Sequence, residues 1–230
     1  MAKKPVKQRR GPRTRPVKRR VGSNKTHPIK EEWQRLRFVD WFSKRRDRAK
    51  TEYKRGLYDR DYMIILTALY TGLRANDLLQ LFVSDLNAGK LAIEENKTGK
   101  AQYFELPTVY YSEFLAYVKR HDLKPEDQLF RKGKNGQHSA DEAQECVTPQ
   151  RINRVIKEAA QAVGIPHLVG LHGLRKTFGY MCRTQWGYSL ADIRIFYNHA
   201  NEATSEIYIE WDKEDTDKMR ARMDLKKRYG

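Results

Sequence analysis

Between Pro28 and Lys50, Trp33, Leu36, Val39 and Phe42 recur at helical spacing, with lysines and arginines between them. That spacing predicts a helix over 29–50 with a basic outer face. The run DRDYMIILTALYT (59–71) is the most apolar helical stretch in the chain, and Gly72 is a natural stop for it. A short helix, ANDLLQL, follows. The period then changes: Leu91 and Ile93 alternate with polar neighbours, NKTGK supplies a turn, and Tyr103, Phe104 and Leu106 resume an extended run that Pro107 ends. This predicts a small antiparallel sheet. Thr108 is placed to cap a helix through about His121, and 122–147 reads as a polar loop centred on KGKNGQ. Thr148 before Pro149 starts a helix running to about Val163, because proline tolerates the first helical position. Another helix starts near Leu171 or His172. Ser189 with Asp192 matches a capping box for SLADIRIFYN, and 212–228 reads as charged helix. The expected fold is mostly α with a small antiparallel β-sheet (α+β), without internal repeats.

Charge changes this picture at the front of the chain. The 230 residues carry a net charge of +17, and residues 1–30 hold twelve basic residues and no acidic one. The body beyond residue 60 is close to neutral. A run such as KQRRGPRTRPVKRR buries nothing, so 1–27 is expected to be a disordered basic tail. Its partner should be a polyanion, since each lysine or arginine that meets a phosphate releases a counterion. Arg9, Arg10, Arg13, Arg15, Lys18, Arg19 and Arg20 are the candidate DNA contacts. No apolar stretch is long enough to read as a membrane span, and no apolar segment follows the basic run as a secretory signal requires. Two cysteines, Cys146 and Cys182, exclude a disulfide scaffold and favour a cytoplasmic setting.

The chemistry is scattered. The six histidines and two cysteines show no metal-ligand spacing, and there is no GxxxxGK[ST] phosphate loop and no GxSxG elbow. What remains is a polar set near the ends of apolar helices. Arg74 sits in TGLRANDLL. His172 and Arg175, three apart in LHGLRKTF, share a helical face. Lys97 lies on the turn NKTGK, with Lys100 as the alternative lysine of that hairpin. His199 follows the short helix in FYNHAN, and Tyr208 comes nine residues later in SEIYI. Taken singly, each is more economically read as packing, capping or surface. Tyr180, Tyr188 and Tyr197 have no comparable spacing and are read as packing.

Taken together, TGLR–x2–D, a hairpin lysine, HxLR and His–x8–Tyr stand in an order that resembles the tyrosine recombinase (phage integrase) family, over about residues 28–212. The resemblance implies a catalytic domain over 28–212 whose catalytic groups are Arg74, Lys97, His172, Arg175, His199 and Tyr208. Asp77 would be the supporting acid of Arg74, and Tyr208 the nucleophile. Two departures stand out. The family usually has glycine before the second histidine, where this chain has Asn198. Members also commonly carry a separate helical DNA-clamping domain ahead of the catalytic one, where this sequence has its basic tail.

The resemblance further implies a site-specific recombinase or integrase of a mobile element or bacteriophage, associated with the nucleoid. It would act on double-stranded DNA through a 3′-phosphotyrosine intermediate, without metal, ATP or other cofactor. The free protein would be a monomer that assembles as a homotetramer on DNA. The C-terminal helical segment 213–230, with Met219, Met223 and Leu225, would dock on a neighbouring protomer or fold back on its own. The alternatives are a type IB topoisomerase-like enzyme and a non-catalytic DNA-binding protein on the same fold.

Overall fold

The apolar run at 59–71 forms the centre of the molecule. In the computed structural model, which describes residues 26–132, 146–167, 170–199, 209–210, 215–217 and 220, this run is the second half of helix α2 (Glu52–Thr71). Met63, Ile64 and Ile65 are buried without residual exposure. The helix starts earlier than its apolar content suggests, because the Thr51 hydroxyl accepts from the Lys54 N–H at 3.2 Å and caps it. Asp59, Arg60 and Asp61 are buried as well, each in an ion pair. Asp59 holds Arg120 and His121, and Asp61 holds Arg60 and Arg151. Helix α1 (Glu32–Asp47) and the later helices α3 (Ala75–Leu79), α4 (Thr108–Arg120) and α6 (Leu171–Thr184) all pack on α2.

Helix α1 forms where its periodicity predicts, but it is rotated. Its buried face is Gln34, Arg35, Phe38 and Phe42, while Trp33 and Leu36 are 50% and 65% exposed. The rotation follows from Arg35, whose guanidinium donates to the carbonyl of Ile29 at 3.0 Å and to that of Lys30. Those buried carbonyls need donors, and an arginine supplies them. Arg37 lies over the exposed Trp33 ring, 5.5 Å from its centroid.

The sheet is antiparallel in the order β1 (Leu86–Asn87), β2 (Lys90–Glu94), β3 (Ala101–Glu105), with Leu91 opposite Phe104 and Glu94 opposite Ala101. Thr108 is the first residue of α4 rather than its cap, a place taken by Pro107. The predicted loop 122–147 is less polar in space than in sequence. Leu129, Phe130 and Val147 are core residues, and its two flanks are stitched by bridges between Phe82 and Gln128 and between Arg131 and Cys146. KGKNGQ lies almost wholly outside the described residues. Helix α5 (Pro149–Ala162) begins as expected, with the Thr148 hydroxyl accepting from the Arg151 N–H. Helix α7 (Leu190–Tyr197) begins with the Ser189–Asp192 capping box.

Both ends of the described chain fold onto the body. Ile29 has no exposure and its N–H donates to Thr177 Oγ1 at 2.9 Å. Asp215, 4% exposed, accepts from Lys30 Nζ and from the Tyr180 hydroxyl, each at 2.6 Å. At Asp215 the C-terminal segment thus contacts its own chain. Met219, Met223 and Leu225 lie outside the described residues, as do residues 1–25 with Arg9, Arg10, Arg13, Arg15, Lys18, Arg19 and Arg20. Among the described residues no helix is long and apolar enough to cross a membrane.

Candidate active site

The site is built where α2 and α7 end against α6. Gly72 ends α2 at φ +61°, a left-handed conformation that glycine adopts without strain. A Cβ at this position would lie 2.3 Å from Phe178 Cδ1, so the helix end and α6 approach too closely for any side chain. That approach brings the Gly72 carbonyl to Arg175, whose Nη1 donates to it at 2.6 Å. Nη2 donates to the Tyr197 carbonyl at the end of α7 at 3.2 Å. Arg175 is 2% exposed and stacks over the Tyr197 ring at 4.4 Å. One buried guanidinium thus ties three helices together.

Asn198 ends α7 at φ +55°. Asparagine is the residue after glycine that best tolerates this conformation, so the departure at this position keeps the turn. The turn delivers His199, half-buried, with Nε2 at 3.5 Å from Arg175 Nη2. Since a guanidinium only donates, Nε2 accepts and the ring proton sits on Nδ1. Burial first, then the charges of Arg175 and Arg74, push the His199 pKa down to about 4. The ring is therefore neutral at neutral pH.

Arg74 stands at the N-cap position of α3, with its side chain 21% exposed. The carboxylate in contact with it is Glu95, in an ion pair, and not Asp77 as expected. Asp77 Oδ1 instead accepts from the N–H of Asn96 at 2.9 Å and from its side-chain amide at 3.0 Å. Asp77 thus pins the residue before Lys97, tying the hairpin to α3. Glu95 also closes the hairpin, accepting from Thr98 Oγ1 at 2.5 Å and Gln102 Nε2 at 2.8 Å. Lys97 is exposed on the turn and shares an open cleft of about 420 Å³ with Arg74, Ala75, Asn76, Asp77 and Asn96. Lys100 sits on the other leg, its carbonyl accepting from the Glu95 N–H at 2.9 Å.

His172 is exposed in the first turn of α6. Partial desolvation of its ring, then the charges of Lys176 and Arg175, lower its pKa, and Glu210 opposes them. Tyr208 lies outside the described residues. The two residues after it are described: Ile209 is 1% exposed, in a cluster with Phe178, Tyr180, Cys182, Ile193 and Tyr197, and Glu210 is paired with Lys176 and His27. Tyr180, Tyr188 and Tyr197 each have contacts within the fold. The Tyr197 hydroxyl is buried and donates to the Arg175 carbonyl, Tyr180 donates to Asp215, and Tyr188 lies edge-on to Phe196 at 5.0 Å. Among the described residues no group of three or more His, Cys, Asp or Glu is placed to hold a metal ion.

Glu95, Lys176 and Glu210 are the residues that sequence reasoning missed. Glu95 had a signal: Leu91, Ile93 and Glu95 alternate on the inward face of β2 and its extension, and a carboxylate pointing inward needs a cation. Lys176 and Glu210 had none, since their partners are distant in sequence.

Comparison with known proteins finds relatives of this chain. A probable integrase/recombinase, YoeC of Bacillus subtilis, is 29% identical over 160 residues, covering 68% of this chain and 81% of that protein. The tyrosine recombinase XerA of Pyrococcus furiosus is 29% identical over 152 residues, 65% of this chain and 49% of that protein. Among solved structures, a XerA recombinase superposes with a TM-score of 0.64 at 21% identity, covering 89% of this chain and 66% of that one. XerH bound to palindromic difH substrate, a post-cleavage complex, gives 0.64 at 20% identity over 86% of this chain and 53% of that one. The chain thus spans about half to four-fifths of the length of these relatives. The model of the phage integrase family matches residues 48–215, and the chain belongs to that family.

Proposed function

We propose that this chain is a site-specific recombinase that cuts and rejoins DNA through a 3′-phosphotyrosine on Tyr208, using neither metal nor ATP. The observation that carries the reading is the meeting of Arg175, His199 and Arg74 at the ends of α2 and α7, with Lys97 across a shared cleft from Arg74. Two guanidiniums and a neutral imidazole suit the non-bridging oxygens of a phosphodiester, whose charge builds in the transition state. A phenol has an ordinary pKa near 10 and needs help to attack. His172, with its lowered pKa, takes the phenolic proton as the tyrosine oxygen bonds to phosphorus. The bond to the 5′ oxygen breaks, and Lys97 protonates the leaving oxygen. The ester that forms keeps the bond energy, and a 5′ hydroxyl attacking it reverses the step on a second strand.

The partner is double-stranded DNA. XerH was solved on difH, and a lambda integrase dimer on a COC′ core site. In this chain the basic tail would add sequence-independent affinity, and four protomers would assemble on two duplexes. The test is a suicide substrate, a nicked duplex that traps the covalent intermediate, scored for a protein–DNA band in excess EDTA. The adduct should form and should vanish in Tyr208→Phe while DNA binding persists. An adduct in that variant, or one abolished by EDTA and restored by magnesium, refutes the reading. Relaxation of plasmids lacking any specific site would favour the topoisomerase-like alternative.

A further inference from the structure

Immediately after Tyr208, Ile209 enters the apolar cluster of α6 and α7, and Glu210 takes φ +50°, a left-handed conformation that a side chain rarely adopts. Something must hold it there. The Glu210 carboxylate accepts from Lys176 Nζ and lies 2.8 Å from His27 Nδ1. Lys176 is 3% exposed, and its Nζ also donates to the Thr26 carbonyl at 2.8 Å. An ammonium this deeply buried needs an anion, and Glu210 supplies it. Burial opposes the Glu210 charge, yet its bonds to Lys176 and His27 bring its pKa down to about 2, so Glu210 is a carboxylate at neutral pH. Lys176 follows Arg175 directly on α6. The clamp on Glu210 and the guanidinium assigned above to the phosphate are therefore carried by adjacent residues of one helix.

We propose that Glu210 is a positioning residue for Tyr208: clamped by Lys176 and His27, it sets the register of the nucleophile against Arg175 of the same chain. The proposal rests on the assignment of Tyr208 as nucleophile above. Glu210 touches no reacting atom. Its effect belongs in the rate of attack and not in DNA affinity, because a misplacement of about 1 Å costs on the order of a hundredfold in rate.

The experiment uses the full chain and a suicide duplex on which the unaltered protein forms its adduct. Single-turnover adduct formation and DNA Kd are measured in parallel. Glu210→Gln should slow adduct formation by roughly 10–100-fold with Kd within about twofold. Lys176→Met should do the same, and Lys176→Arg, which keeps the ion pair, should recover most of the rate. Parent-like adduct formation in Glu210→Gln overturns the proposal. So does an equal loss of rate and DNA binding, which would mark a purely structural role. If the unaltered protein forms no adduct on any duplex that it binds, the functional reading fails, and the positioning role with it.

Discussion

Gly72 couples the fold to the site, and Gly72→Ala measures that coupling. The new Cβ meets two obstacles. It must sit at φ +61°, and it would lie 2.3 Å from Phe178 Cδ1 and 2.8 Å from Cε1. The left-handed conformation costs a non-glycine residue about 1–2 kcal/mol. Overpacking adds about 1–3 kcal/mol, since the ring belongs to a packed cluster. Gly164 is an internal control: it follows α5 at φ +74° with nothing within 4 Å of its would-be Cβ. Gly164→Ala should therefore lose only the conformational part, about 1–2 kcal/mol, and Gly72→Ala about 2–5 kcal/mol. Urea denaturation of both variants, with unchanged m-values, gives the difference directly. A second readout is the site itself. The Gly72 carbonyl holds Arg175 at 2.6 Å, so a helix end pushed away from Phe178 should slow adduct formation, whereas Gly164→Ala should not. Introducing Phe178→Leu into the Gly72→Ala protein should restore part of the lost stability. If the two alanine variants are equally stable, the close approach of α2 to α6 is wrong, and so is the account of what places Arg175.

Three further outcomes follow from the same geometry. Glu95→Gln leaves the Arg74 guanidinium without its buried carboxylate, and hydrogen bonds to charged groups are worth about 1.5–3 kcal/mol; chemical denaturation should show a loss of about that size, with slower adduct formation, and parent-like values for both would refute the pairing. Arg175→Lys keeps the charge but cannot hold both the Gly72 and Tyr197 carbonyls; single-turnover adduct formation should fall by on the order of 10²–10³, and parent-like cleavage would exclude the arginine from the site. Deleting residues 1–25 removes eleven basic residues, so the dependence of log K on log salt should flatten by about 0.9 per lost phosphate contact; an unchanged slope in a salt titration would make the tail a passive extension.

Features written in adjacent residues were legible without the structure. The Thr148–Pro149 start of α5, the Ser189–Asp192 box of α7, the stop at Gly72 and the hairpin at NKTGK depend on hydrogen bonds and dihedrals spanning a few residues. The surroundings of Arg74, Lys97 and His199 were legible for a related reason: each sits at a helix end or turn that local chemistry marks. The family followed from the order of Arg74, Lys97, His172, Arg175, His199 and Tyr208 along the chain. The face of α1 was not legible, because Trp33 and Leu36 satisfy helical periodicity as well as Phe38 and Phe42 do. Which stripe turns inward depends on Arg35 finding the carbonyls of Ile29 and Lys30. The same holds for the acids. Asp77, three residues from Arg74, was the natural partner in sequence. In space Glu95 takes the arginine, because β2 runs back toward the N-terminal end of α3 and Asp77 turns to Asn96. Glu210 reaches Lys176 across 34 residues and His27 across 183, pairings with no periodicity to betray them. The sequence by itself determined where the chain turns and which chemical groups it carries. The tertiary structure decided which groups meet, because burying a charge requires a partner and only the packed helices bring distant residues within reach.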